Sequence, residues 1–384
     1  MPAIHHCDVA IVGGGLAGGL IALALAKKRP GCSVRVIEGG ARLGGNHLWS
    51  FFASDVGAAE RWLVAPLISY GWTRYDVAFP GHSRTLKAHY YSVESERFDR
   101  VIREALPEDA LMTRRKVLAA SSKAVVLADG DRVEAGGVID CRGPGDLALL
   151  ELGWQKFYGR ELSLSEPHDL ARPMLMDACV EQSDGYRFVY ALPFAATRLF
   201  VEDTYYSDTP EADIEAMGGR IDAYVGAHGW HAERVAREEA GSLPVAMGGD
   251  FEAYWLSGGN KVAKAGARAG LFHPLTSYSL PDAVRTAALV AGASDLSGAA
   301  LHDLLHGAAR RAWKRRGFYR MLAAMLFKAA EPGERYKILE RFYRLDPHLI
   351  ARFYAGQSTL LDRGRVLAGK PPVPVGRAMK AMRK

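Results

Sequence analysis

Cysteine is scarce and scattered. Cys7, Cys32, Cys141 and Cys179 are the whole complement, and no two of them form a C-x-x-C pair, so neither a disulfide framework nor a thiolate metal site is expected. A reducing cytoplasm fits that usage. Internal repeats and low-complexity linkers are missing too, which excludes solenoids and largely disordered chains. No uncharged run is comfortably long enough to span a bilayer. The nearest, Val9 to Ala26, sits at the low end of spanning length and carries five glycines near its start, so a membrane helix is the weaker reading of it. The first strand starts too early to leave room for a secretory leader.

What is present is an ordinary globular composition. A chain of 384 residues, 49% hydrophobic and 24% charged, is long enough for two or three domains with a real core. Its charge is uneven. Residues 307–384 hold 19 Lys and Arg against 5 Asp and Glu, an excess of 14 in a chain whose total is +6, which leaves the rest near −8. A basic tail on an acidic body calls for a partner. No groove-reading motif accompanies the charge, so nucleic acid is not expected, and an anionic membrane surface is the better candidate.

The stretch CDVAIVGGGLAGGLIALALAKKRPGCSVRVIEGG organises the chain. It reads as a buried strand from Val9 to Val12, a glycine turn, a helix from Leu16 to Lys28 and a second strand ending at Glu38. On such a turn Gly13 permits the tight exit from the strand, Gly15 lets the backbone approach a pyrophosphate, and Gly18 lets the helix pack on the sheet. Helix amides then face the phosphates, and Glu38 is placed for ribose hydroxyls. A merely structural glycine turn is the competing reading, and the strand, helix and carboxylate together weigh against it. Just downstream, Arg42, Gly44 and Gly45 resemble the extension typical of FAD-binding domains of two-dinucleotide-fold flavoproteins, although an ordinary loop uses the same glycines.

Further along, Gly71 to Phe79 and Arg84 to Ser92 read as strands, and Ser95 to Leu106 has helical spacing. Lys123 to Leu127 and Arg132 to Ile139 flank a turn. The strand ending at Asp140 returns to the nucleotide sheet, with Arg142 beside its tip, where ligands sit in open α/β sheets. From Trp154 to Leu243 aromatic-bearing strands (156–162, 174–180, 186–192, 198–206) suggest an antiparallel roof, with a helix at 213–225. Val262 to Ala291 returns to the first domain. There Gly266, His273 and Pro274 precede a helix with Ser279 as its cap and Pro281 in its first turn. Gly317 to Lys328, beside Arg310, Arg311, Lys314, Arg315 and Arg316, is either an interfacial helix or a core helix with a solvated basic face. The run KPPVPV at 370–375 punctuates before a basic end.

Phe200-Val201-Glu202-Asp203-Thr204 is the most informative stretch outside the nucleotide fold. Strand alternation points Phe200, Glu202 and Thr204 one way and Val201, Asp203 and Tyr205 the other. One carboxylate can then be buried and protonated while its neighbour is held by hydrogen bonds or water. Asp203 is a candidate to orient Thr204, and a strand end turning into solvent is the bland alternative.

These segments together resemble a known family. NHLWSF at 46–51, Phe200 to Thr204, Pro244-Val245-Ala246-Met247, and Lys264-Ala265-Gly266 leading into His273-Pro274 are similar to the bacterial lycopene β-cyclases, over most of the chain. The resemblance implies a membrane-associated FAD enzyme that closes β-ionone rings on lycopene, via γ-carotene, to give β-carotene, without net redox. It maps the acid onto Glu202, places Asp203 beside it, and implies NADPH or NADH as the reductant of the flavin. Leu48 stands where Thr is usual, and Phe52 where a second His is usual. His47 is a candidate flavin or substrate contact.

The fold class expected is α/β: an FAD-binding, Rossmann-like domain with an inserted antiparallel sheet and a helical C-terminal region. Segments 1–75, 96–150 and 256–300 are assigned to the FAD-binding domain. Segments 76–95 and 151–255 form the substrate domain, and 301–384 a basic helical region facing the cytoplasmic side of the membrane. An FAD-dependent hydroxylase, a prenyl or carotenoid reductase of the same fold, and a non-catalytic carotenoid binder remain as alternatives. Acyclic carotenoids are the expected small-molecule partners.

Overall fold

A computed structural model describes residues 2–183, 185–259, 261–369 and 376–377. The KPPVPV run lies outside them. The fold is α/β, with three sheets and a helical C-terminal region.

The nucleotide sheet runs Leu111–Met112, Val34–Ile37, Ile4–Val12, Arg132–Asp140, Ala124–Leu127 and Val117–Ala120, with Ala263–Lys264 added in parallel to Arg132–Asp140. Ile4–Val12 is paired in parallel on both sides. Parallel central strands must be covered on both faces, and here the cover comes from the helices Leu16–Lys28, Leu280–Ala291 and Gly298–Arg315 among others. The helix Leu16–Lys28 is buried from Leu16 through Leu25, all round rather than on one stripe. That explains why its sequence mimics a membrane span.

The second sheet runs Ala232–Gly249, Leu150–Leu164, Arg198–Ser207, Tyr186–Ala195, Met174–Asp177, Tyr75–Phe79 and His82–Leu86. It is antiparallel except where Met174–Asp177 joins Tyr75–Phe79 in parallel. Ala232–Gly249, with 18 residues the longest strand described, has no counterpart in the sequence reading. Its first half is charged and exposed, so it lacks the alternation that marks a half-buried strand.

Two expected strands are each divided. Gly71 to Phe79 becomes Tyr70–Trp72 and Tyr75–Phe79, and Arg84 to Ser92 becomes His82–Leu86 and Tyr90–Glu94. In both cases one piece joins the second sheet and the other a three-stranded sheet, Leu48–Phe52, Tyr90–Glu94 and Tyr70–Trp72. This small sheet bridges the two large ones.

One helix, Gly298–Arg315, spans the expected boundary at residue 301. The helix starts at Gly298, capped by the Ser297 hydroxyl, and buries Leu301, Leu305 and Ala309 against the nucleotide core. The next helix, Gly317–Lys328, is a core helix: Tyr319, Ala323, Leu326 and Phe327 pack into the aromatic cluster beneath the second sheet. Much of the basic charge finds its partner inside the chain. Arg310 pairs with Glu252, Arg316 with Asp282, Lys328 with Glu151 and Arg335 with Asp208. No helix among the described residues is long and apolar enough to cross a membrane.

Candidate active site

The glycine turn has the geometry of a dinucleotide cradle. Gly13 has φ +98°, a conformation that favours glycine, and a Cβ there would lie 3.0 Å from the Arg142 nitrogen. A Cβ on Gly18 would lie 2.0 Å from the Gly13 carbonyl oxygen, so the helix can pack this closely only without one. Gly15, the residue before the helix, meets nothing within 4 Å, and no side chain caps the first turn. That open helix N-terminus is a ready anion site. Glu38 closes the second strand with Oε2 accepting from the Gly14 amide at 2.8 Å and Oε1 from the Gly40 amide at 2.7 Å. Gly44 donates its amide to the Gly14 carbonyl at 2.9 Å, which folds the downstream extension back over the turn, while Arg42 and Gly45 are exposed beside it. Gly266 packs across from Ala17 at the same helix start, at 2.8 Å from an ideal Cβ.

Four further residues that the sequence singles out have these surroundings. Arg142 caps a strand end: Nε and a terminal nitrogen grip Asp140 at 2.9 and 2.8 Å, with Arg268 on the same carboxylate. Burial opposes the charge on Asp140, but the two guanidiniums hold its pKa below the ordinary value. His273 and Pro274 are buried towards the helical tail. The His273 ring packs on Tyr319 and Phe353, and its Nδ1 accepts from the Leu275 and Thr276 amides at 3.3 Å. The Ser279 side chain caps nothing, although it precedes the expected helix.

Between the small sheet and the second sheet lies a cavity of about 380 Å³. Tyr90, Tyr190, Phe157, Phe200 and Leu192 line it, together with Trp49 and Tyr278. Glu202 opens onto it. The residue is half-buried at the cavity wall; burial of its carboxyl, reinforced by Glu239, pushes its pKa up to about 8. The Thr204 hydroxyl donates to Glu202 Oε1 at 2.7 Å and opposes the shift. Thr204 is therefore bonded to Glu202 and not to Asp203. Tyr190 stands directly across from Glu202 on the neighbouring strand, and Tyr278 hydrogen-bonds both Tyr190 and Tyr90.

Asp203 faces away from the cavity. It is fully buried between Arg187 at 2.7 Å and Arg220 at 3.2 Å. Alternation along the strand separates the two acids as expected, and the structure gives Asp203 a structural ion pair. Of the other roof carboxylates, Asp177 is buried and accepts from Tyr224, and Glu166 is exposed. The second acid at the cavity is instead Glu239, on the long strand missed in the sequence. His47 Nδ1 lies 2.9 Å from its Oε1, and the Leu48 amide donates to Oε2 at 2.9 Å. This hydrogen bond raises the His47 pKa. Leu48 thus serves the site through its backbone, while Phe52 joins a buried aromatic cluster with Tyr75, Tyr90 and Tyr354. No cluster of potential metal ligands occurs among the described residues.

Residues 8–380 match the lycopene cyclase protein family. The chain belongs to the lycopene cyclase family. Lycopene beta-cyclase of Pseudescherichia vulneris is 42% identical over 374 residues, covering 97% of this chain and 96% of the relative. Among solved structures, this lycopene cyclase family member superposes on a geranylgeranyl bacteriochlorophyll reductase-like protein from Thermoplasma acidophilum. The TM-score is 0.65 at 13% identity, over 99% of this chain and 100% of that one. A probable FAD-dependent monooxygenase from Pseudomonas aeruginosa gives 0.62 at 18% identity, over 88% and 100%. At such identities the likeness is one of fold.

Proposed function

We propose that this lycopene cyclase family member converts lycopene through γ-carotene to β-carotene, with Glu202 as the acid. One observation carries the reading: an aromatic cavity next to the dinucleotide cradle contains a carboxyl group that burial keeps protonated at neutral pH. Ring closure needs a proton on a terminal alkene, attack on the resulting tertiary cation by a neighbouring double bond, and loss of a ring proton. Substrate and product are isomers.

A carboxylic acid in water is too weak for the first step. The chain lowers the barrier by lining the site with Phe157, Phe200, Leu192 and tyrosines, which exclude water and prevent capture of the cation as an alcohol. The faces of Tyr190 and Tyr90 offer cation–π attraction where the charge develops. Thr204 fixes the Glu202 rotamer through its hydroxyl.

FAD fits the cradle. Gly13, Gly15, Gly18, Glu38, Arg42, Gly44, Gly45 and Gly266 would hold it, on the support of the open helix N-terminus and the folded-back extension. When bound and reduced by NADPH or NADH, it supplies negative charge beside the cation without being consumed. We also propose peripheral attachment at the cytoplasmic face of the membrane. Support comes from exposed Arg311, Lys314 and Arg315 and from Leu360 and Leu361, which are 82% and 87% exposed.

The test is anaerobic incubation of flavin-loaded, reduced protein with lycopene in liposomes. Appearance of γ- and β-carotene with no lasting loss of NADPH supports the reading, and unchanged lycopene overturns it. Oxygen uptake or a reduced polyene would favour the hydroxylase or reductase chemistry found on this fold.

A further inference from the structure

The cavity holds two carboxyl groups, with one strand of the sheet between them. Glu202 and Glu239 sit on different strands, yet both are in register with the same residue of the strand between, Gly159. All three belong to one face of the sheet. Neighbouring strands lie about 4.8 Å apart, so the two glutamate backbones are roughly 10 Å apart. The Phe200 ring lies over Gly159 between them, since a Cβ there would come within 2.4 Å of it. The tip of a prenyl chain laid against that ring has one carboxyl on each side.

The two groups are prepared differently. Glu202 has a hydroxyl donor on one oxygen and a tyrosine across from it. Glu239 accepts on both oxygens, from the His47 imidazole and from the Leu48 amide, and keeps free lone pairs towards the cavity. Neighbouring Glu238 and Arg237 are directed elsewhere, to Arg160 and Tyr158 and to Glu96. The titratable groups that share the cavity with Glu239 are thus His47, Glu202, Tyr90, Tyr190 and Tyr278.

We propose that Glu239 is the catalytic base of ring closure, with His47 as the residue that positions it. This rests on the cyclase reading above. The Glu202 O–H proton forms a new C–H bond with the π electrons of the terminal alkene. The next double bond supplies the pair for the ring C–C bond. Glu239 then takes the ring proton, and the electrons of that C–H bond become the ring double bond. Glu239 releases its proton to water on the half-exposed His47 side, and Glu202 recovers one from water. No electrons are gained or lost. Placing acid and base on opposite sides of the Phe200 ring also fixes which ring proton leaves, and hence the position of the ring double bond.

The experiment compares flavin-loaded parent, Glu202→Gln, Glu239→Gln, Glu239→Asp and His47→Ala proteins, with lycopene in liposomes and chromatographic identification of ring isomers. Glu239→Gln should lose about a hundredfold or more in β-ring formation. Its residual product should include rings with the double bond displaced, a change that a purely structural defect would not make. Glu239→Asp should recover part of the rate, and His47→Ala should lose about tenfold. Glu239→Gln giving only β-rings at a rate within about threefold of the parent overturns the assignment. If Glu239→Gln fails to fold or to hold flavin, His47→Ala decides, and a parental rate and isomer pattern in that protein is equally fatal. An inactive parent would instead refute the cyclase reading itself.

Discussion

Protonation of Glu202 links the local electrostatics to activity. Its pKa of about 8 predicts that kcat/KM falls as pH rises through that value, since only the neutral form can donate. Stability follows the same group. The folded chain keeps a proton that an unfolded glutamate releases near 4.5, so stability declines as pH rises from there to about 8, and Glu202→Gln should flatten that slope in urea titrations. Thr204→Val removes the hydroxyl that favours the charged form, so the alkaline limb of the rate profile should move to higher pH. Asp203 answers to a different measurement. Asp203→Ala leaves Arg187 buried without its partner, and chemical denaturation should show a loss of about 3–5 kcal/mol.

At the scale of elements, two close approaches set the architecture. Gly18→Val would drive a side chain into the Gly13 carbonyl. The expected outcome is loss of flavin absorbance in the purified protein, because the turn and the helix start must separate. Gly159→Val would drive a side chain into the Phe200 ring that lies between the glutamates, and should slow cyclisation while flavin content stays near that of the parent. The first of these glycines is legible in the sequence, because a strand, a glycine turn and a helix leave a local signature. The second is not. Gly159 matters through residues far along the chain on both sides, and only strand pairing reveals that Glu202 and Glu239 are neighbours. Glu239 itself sits in a charged run, Arg234 to Glu239, that reads as solvated surface, and no periodicity flags it. The face assignments of Glu202 and Asp203 are readable, since alternation is local. The role of Asp203 is not, because Arg187 and Arg220 come from other elements.

Across the whole molecule, the tail is fastened to the nucleotide domain by buried groups. His273 is enclosed by Tyr319 and Phe353 from the tail, and burial, helped by Arg316, lowers its pKa to about 3. An unfolded histidine takes up a proton near 6.5, so stability should be lost progressively as pH falls from there towards 3. His273→Phe should weaken that acid sensitivity, as judged by urea midpoints at several pH values. Sequence reading treats this histidine as a cofactor contact because it lies next to the closing segment, and in the fold its ring packs on Tyr319 and Phe353. Part of the charge on the basic tail is answered by acids of the same chain, as where Arg310 meets Glu252 and Arg335 meets Asp208.

The size of the pocket also has a kinetic meaning. A space of about 380 Å³ admits one tip of a long polyene and leaves the remainder outside. Each turnover must then finish a single terminus, and the molecule has to withdraw, reverse and re-enter before its far end can react. The proportion of the monocyclic compound should therefore climb whenever fresh acyclic chains outnumber the enzyme.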